Sequence, residues 1–287
     1  MSAIKRLDSG NIYHYTSKDG VFGILENCSL HLRNVNYMND PNELKYFKEY
    51  LASYQIRNSI PVEYIRFVYN EVERIVGYYD IFVFSTSDDK DSKPLWEEYT
   101  VPQYDGFSIG LDIVQLREHL KKYNITEKNG NDILFFEDGE ILYSESEKRC
   151  ILDKNIASLI YHHTTNQEDA DYNIVQTRTY LYLYLVFFKG EVVWSKENEY
   201  RFAIFVEKNY AKQITLTKKI NNKIIPYISI SLKDKNNKHP FKKIVIGAKN
   251  DFENDKISLV SLLETKPYYK TLKNNIHKSD ISITSSS

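Results

Sequence analysis

The run FAIFV, residues 202–206, is apolar at every position. Read as a strand it has no polar face, so it must lie inside the molecule with both sides covered. Just before it, ENEYR sets Glu197, Glu199 and Arg201 at alternate positions, which an extended chain carries on one face. Carboxylates at the mouth of a buried strand suit acid/base or charge-stabilising chemistry. The same spacing also suits an ion-pair ladder on an exposed strand end.

Elsewhere, short apolar strands mix with amphipathic helices. NIYHYT reads as a first strand, and SKDGVFGILEN as a helix with Val21, Ile24, Leu25 and Cys28 at helical spacing. SLHLRN is the next strand. In NDPNEL, Asp40, Pro41 and Glu43 fit the N-cap, first turn and capping-box positions of a helix, which assigns both carboxylates to capping. PVEYIRFVYNEVERIVGYY follows as a helix with one apolar face.

DIFVFSTS is a buried strand ending in Ser85, Thr86 and Ser87, where hydroxyls either contact a ligand or simply end the strand. LWEEY is a helical turn whose Trp96 and Tyr99 suit either stacking on a flat ring or ordinary packing. GFSIGLD reads as strand and IVQLREHLKKY as helix. ILFFEDGEILYS reads as a hairpin turning at Asp138-Gly139. Helix is expected from Glu147 to His163 and, buried, through TRTYLYLYLVFFKG. The remainder is strand-rich, with a helix at DFENDKISLVSLLE and a last strand near DISIT.

Without strict βαβ alternation, these elements predict an α+β fold, with mixed or antiparallel sheet and helical insertions. No linker or repeat divides the chain, so one domain is expected over residues 1–275, with the last strand and a Ser-rich tail over 276–287. The 38 basic and 39 acidic residues give a net charge of −1, so no overall field draws the chain to nucleic acid or anionic membrane. Cys28 and Cys150 are expected to be reduced, buried thiols. The N-terminus lacks a secretory apolar region, and no apolar run reaches the roughly 18 residues a bilayer span needs. The expected location is therefore cytoplasmic, with no membrane partner.

The sequence carries no G-x-x-x-x-G-K-[ST], G-x-G-x-x-G or H-E-x-x-H. No ligand spacing points to a metal. Taken in order, YHYTS, NDPNEL, LWEEY, GFSIGLD, WSKENEYR and IVIGAKN resemble a bacterial family of domains of unknown function with the pattern HYT…NDPxE…LWxxY…GxxxGxD…ExEYR…IxxG. More distantly, the layout resembles the ADP-ribosyltransferase superfamily. Its members bind NAD in a cleft through a first-strand His or Arg, a hydroxyl-bearing second motif and a late Glu, often as E-x-E. His14, Ser85-Thr86-Ser87 and Glu197-x-Glu199 stand in those places.

The resemblance implies an ADP-ribosyltransferase-like fold around an NAD-binding-type cleft. Glu199 would meet the oxocarbenium-like centre formed when the nicotinamide–ribose bond breaks, and Glu197 would orient or deprotonate the acceptor. His14, Tyr15, Thr16, Ser85, Ser87, Trp96, Tyr99 and Arg201 would line the NAD site. The implied activity is NAD-dependent mono-ADP-ribosylation by an intracellular toxin or phage-defence effector, with a nucleic-acid or protein acceptor and an antitoxin protein as a further partner. Two other functions fit the residues. One is a nuclease or phosphoesterase holding Mg²⁺ through Asp88, Asp89, Glu197 and Glu199. The other is a non-catalytic module that binds a nucleotide or a partner.

Overall fold

The computed structural model describes residues 4–100, 102–126, 132–164, 180–190, 194–220, 222–234 and 238–282. The side chains of 64, 156–164 and 220 are outside this description, as is the Ser-rich end from 283.

Eleven strands among the described residues form one mixed sheet: β1 (Asn11–Thr16), β2 (Ser29–Asn34), β3 (Tyr79–Ser87), β4 (Phe107–Asp112), β5 (Ile125–Thr126), β6 (Asp132–Glu140), β7 (Glu199–Glu207), β8 (Leu216–Ile220), β9 (Lys223–Ser231), β10 (Phe241–Ile246) and β11 (Ile276–Lys278). Their helices are α1 (Lys18–Asn27), α2 (Tyr46–Arg57), α3 (Val62–Tyr78), α4 (Lys93–Tyr99), α5 (Ile113–Lys121), α6 (Glu145–Thr164), α7 (180–187), α8 (Lys208–Ile214) and α9 (Phe252–Glu264). Pairing is antiparallel except between β10 and β11.

The sheet is hinged at β3. One edge of β3 pairs with β7 over its whole length, from Tyr79↔Glu207 to Ser87↔Glu199. The other edge is shared: β2 takes Phe82 and Val83, while β1 meets it only at Tyr13↔Ser87. Three residues of that edge, 84–86, have no partner strand, and there the sheet splits. On one side stand β1, β4, β10 and β11; on the other, β2, β9 and β8.

Both faces of FAIFV are covered. Phe202, Ile204 and Val206 join a core packed under α1, α5 and α9, and Ala203 and Phe205 join a second core under α2, α3 and α7. Helix α3 forms on the expected face, with Ile65, Val68, Val72 and Ile75 buried.

Three expected elements are corrected. Asp138-Gly139 is not a turn: β6 runs straight through both and pairs Asp138 with Phe202 and Gly139 with Arg201. Asp138 is there because Arg117 and Tyr200 bind its buried carboxylate, and Gly139 because a Cβ would lie 2.3 Å from the Ile4 side chain. NDPNEL does not open a helix. Asp40 accepts from the Asn42 N–H, residues 41–45 are turns, and α2 begins at Tyr46. The last strand is at Ile276–Lys278 rather than at DISIT, where 279–282 carry no strand and the rest lies outside the described residues. The helix expected through TRTYLYLYLVFFKG is present over 180–187, its start lying outside the described residues. Both cysteines are free, Cys28 buried but Cys150 exposed. No helix among the described residues is long and apolar enough to cross a membrane.

Candidate functional site: a buried charge cluster beside the split

Arg201 is fully buried, and its side chain enters the second core. A guanidinium cannot give up its proton, so burial demands carboxylates. Its Nε and Nη2 donate to the two Glu199 oxygens at 2.7 and 2.9 Å. Nη1 and Nη2 donate to Glu43 at 2.7 and 3.1 Å, and Nη1 also reaches the Val186 carbonyl at 2.8 Å. These are bidentate, charge-assisted contacts, the strongest class of hydrogen bond available to side chains.

A second buried cation joins the cluster. Lys189, at the end of α7, donates to Glu197 at 2.7 Å and to Glu199 at 3.1 Å, and its ammonium also lies over the Trp194 ring. Three carboxylates (Glu43, Glu197, Glu199) thus face two cations (Lys189, Arg201), leaving one negative charge in excess.

That excess divides unequally. Burial raises the Glu199 carboxyl, but Arg201 and then Lys189 overcome it and hold the pKa near 2. Burial pushes Glu197 above the ordinary range; Lys189 offsets this in part, while Glu199 adds repulsion. Two carboxylates pushed in opposite directions are the usual arrangement of an acid/base pair. Tyr99 donates a hydrogen bond to Glu197 Oε1. Burial, then the charges of Glu197 and Glu199, raise the Tyr99 phenol and keep it a donor. Burial, and then Arg201, work against the Lys189 charge, but Glu199, Glu43 and Glu197 together outweigh them and the ammonium persists.

Local backbone sets this geometry. Glu197 does not share a strand face with Glu199. It ends a 3-10 turn, Ser195–Glu197, and Asn198 in the left-handed region (φ 43°) redirects the chain into β7. The two carboxylates meet at Lys189, and alternation along a strand is not what brings them together.

His14 is separated from β7 by β3. Register puts its neighbour Tyr13 in line with Ser87 and Glu199. The His14 ring itself lies in the split, 4.4 Å from the Phe84 ring, with Nδ1 3.0 Å from the Ser85 carbonyl. A carbonyl accepts only, so Nδ1 carries the proton. Burial, opposed by that bond and aided by Arg33 and Lys218, lowers the ring's pKa to about 4. At neutral pH Nε2 is therefore an acceptor. Arg33, half-buried on β2, lies within electrostatic reach of both His14 and Tyr99 and links the split to the cluster.

The remaining expected residues divide. Ser85 Oγ is buried beside the Glu199 carboxylate without a well-formed hydrogen bond, and Ser87 Oγ accepts from the Asp89 N–H. Tyr15 pins a loop by donating to the Asp89 carbonyl and accepting from the Ser92 N–H. Trp96 is fully buried edge-on to Tyr15 and donates to Asp91, and Thr16 packs against Gly20. Tyr15, Thr16 and Trp96 are therefore not brought to the cluster.

Nothing local in the sequence marks Glu43, Lys189 or Arg33 as a site residue. Capping accounts for Glu43 too readily. The signal available for Lys189 is a lone charge closing a long apolar run, and a charge that ends such a run either emerges into water or has to be paired.

Among the described residues no group of three or more His, Cys, Asp or Glu is arranged to hold a metal. The Glu197 and Glu199 oxygens that the Mg²⁺ reading needs are bound by Lys189, Arg201 and Tyr99. A cavity of about 460 Å³ is lined by Tyr46, Glu49, Arg57, Glu145 and Gly190 among others and by none of the five charged residues of the cluster. The family described as proteins of unknown function (DUF2971) matches residues 95–202, from α4 to the start of β7, and so takes in Tyr99, Lys189, Glu197, Glu199 and Arg201. No curated protein and no solved structure matches the chain.

Proposed function

We propose that the chain is an NAD-dependent ADP-ribosyltransferase whose donor site is the split of the sheet and the charge cluster beside it. What supports this reading is one set of linked groups. His14, with Nε2 an acceptor, bonds the Ser85 carbonyl on the unpaired edge of β3, Arg33 lies within electrostatic reach of both His14 and Tyr99, and Tyr99 donates to Glu197. A neutral imidazole acceptor suits a ribose hydroxyl. A carboxylate at the edge of a cluster with one excess negative charge suits a cation developing on ribose.

In this proposal the roles implied for the two glutamates are exchanged. Arg201 holds both Glu199 oxygens and Lys189 adds a third bond, so the Glu199 charge is matched by two cations and Glu199 positions the cluster. Glu197, tied among the described residues to Tyr99 and one cation, Lys189, carries the excess charge and faces the oxocarbenium. Tyr99 orients Glu197.

The test is release of nicotinamide from NAD by the purified chain. Glu197→Gln keeps the shape and removes the charge, so turnover should fall by roughly 10²-fold or more while NAD binding changes little. A folded Glu197→Gln protein with wild-type release would sink the assignment.

A further inference from the structure

From Lys208 to Lys233 the chain carries six lysines and no Asp or Glu, in a molecule whose net charge is −1. Most of this stretch is the β8–β9 hairpin, which ends the sheet on the β2 side of the split. Register places Arg33 opposite Tyr227, Tyr227 opposite Leu216, and Lys218 two residues beyond Leu216. Arg33, His31, Tyr227 and Lys218 therefore share one face.

On that face the cations lack carboxylates. Lys218 Nζ lies 5.1 Å from the Tyr227 ring centre and 3.5 Å from His31 Nδ1, an arrangement in which the imidazole is the neutral acceptor. His31 in turn stacks 4.3 Å from Tyr227. Among the described residues Arg33 has neither an ion pair nor a hydrogen bond, although it is half-buried. Burial and then Arg33 depress Lys218 to about 8, so two cations repel each other with nothing anionic between them. Lys223, opposite Ile220, continues the charge on that face, exposed, at the hairpin tip.

A half-buried cation without a counter-charge is poised for an anion from outside. The track runs from the tip of an edge hairpin to Arg33, which touches the electrostatic environment of His14 and Tyr99. Several cations in a row match a ligand with several anionic groups in a row.

We infer that the β8–β9 hairpin, with Arg33 and His31 of β2, is a docking track for the phosphodiester backbone of a nucleic acid, and that this nucleic acid is the acceptor delivered to the split. Its role as acceptor rests on the ADP-ribosyltransferase reading; the binding itself does not.

The experiment is therefore run without NAD. Fluorescence anisotropy of a short labelled single-stranded RNA, of the same sequence as DNA, and of the DNA duplex is followed as the full chain is titrated in, at low and at raised salt. At least one should bind, more weakly as salt rises. Lys218→Glu/Lys223→Glu, the two hairpin lysines on that face, should weaken binding by roughly 10-fold or more and reduce the salt slope for a single strand by about 1.4, the loss of two phosphate contacts. Arg33→Gln should weaken it too. Lys121→Glu/Lys122→Glu, an equal charge change at exposed positions at the C-terminal end of α5, should leave it unchanged. No binding to any of the three at low salt, or equal weakening by both double variants, overturns the inference. Binding by a chain that releases no nicotinamide would leave the docking track in place and remove the donor reading instead.

Discussion

At the scale of single residues, the cluster is held by pairing that tolerates little change. Arg201→Met leaves Glu43 and Glu199 buried without their main partner, which typically costs about 3–5 kcal/mol; chemical denaturation should report a loss of that order. Replacing Glu43, Glu199 and Arg201 together by apolar or neutral groups should cost less than Arg201→Met alone, because no orphaned charge remains. His14 gives a pH signature. Its folded pKa of about 4 lies below the ordinary 6.5, so the unfolded chain binds this proton first as pH falls. Wild-type stability should therefore drop relative to His14→Gln between about pH 6.5 and 4 and run parallel to it above pH 7. Curves parallel throughout would mean that the ring is not held neutral. The sequence makes Glu199 and Arg201 legible as neighbours on a strand, since period-two spacing is local. It cannot show that Glu43 completes the guanidinium, because that contact spans 158 positions and NDPNE already satisfies a local rule.

At the scale of elements, one left-handed residue separates the two glutamates. Asn198 tolerates φ 43° because its short amide side chain permits it, whereas a β-branched residue is strained there. Asn198→Gly should leave stability within a few tenths of a kcal/mol, and Asn198→Val should cost about 1–2 kcal/mol and cut nicotinamide release by displacing Glu197 from Lys189. Equal behaviour of the two variants would show that the turn does not set the site. Here the sequence reading fails for a physical reason. ENEYR continues an alternation that truly begins only at Glu199, and periodicity carries no mark of where a strand starts. Asp138-Gly139 fails in the same way, since an Asp-Gly pair looks like a turn until Arg117 and Ile4 are known to lie beside it.

At the scale of the whole molecule, the α+β class, the buried FAIFV strand and most helices follow from hydrophobic period, which reports burial directly. The hinge of the sheet does not, because which strands share an edge of β3 depends on contacts far apart in the chain. The same remoteness has a kinetic consequence for Arg201. Glu43, Lys189 and Arg201 can meet only after a long stretch of chain has been closed into a loop, and closing long loops is slow and entropically unfavourable before other contacts form. The cluster should therefore assemble after the folding transition state and act as a latch. In stopped-flow measurements Arg201→Met should speed unfolding by most of its equilibrium effect and leave the refolding rate almost untouched. A refolding rate slowed in proportion to the lost stability would instead make these charges part of the nucleus. As a latch, the charges that give the candidate site its chemistry would also set the lifetime of the folded protein, so changes that loosen them for activity would shorten how long each molecule persists.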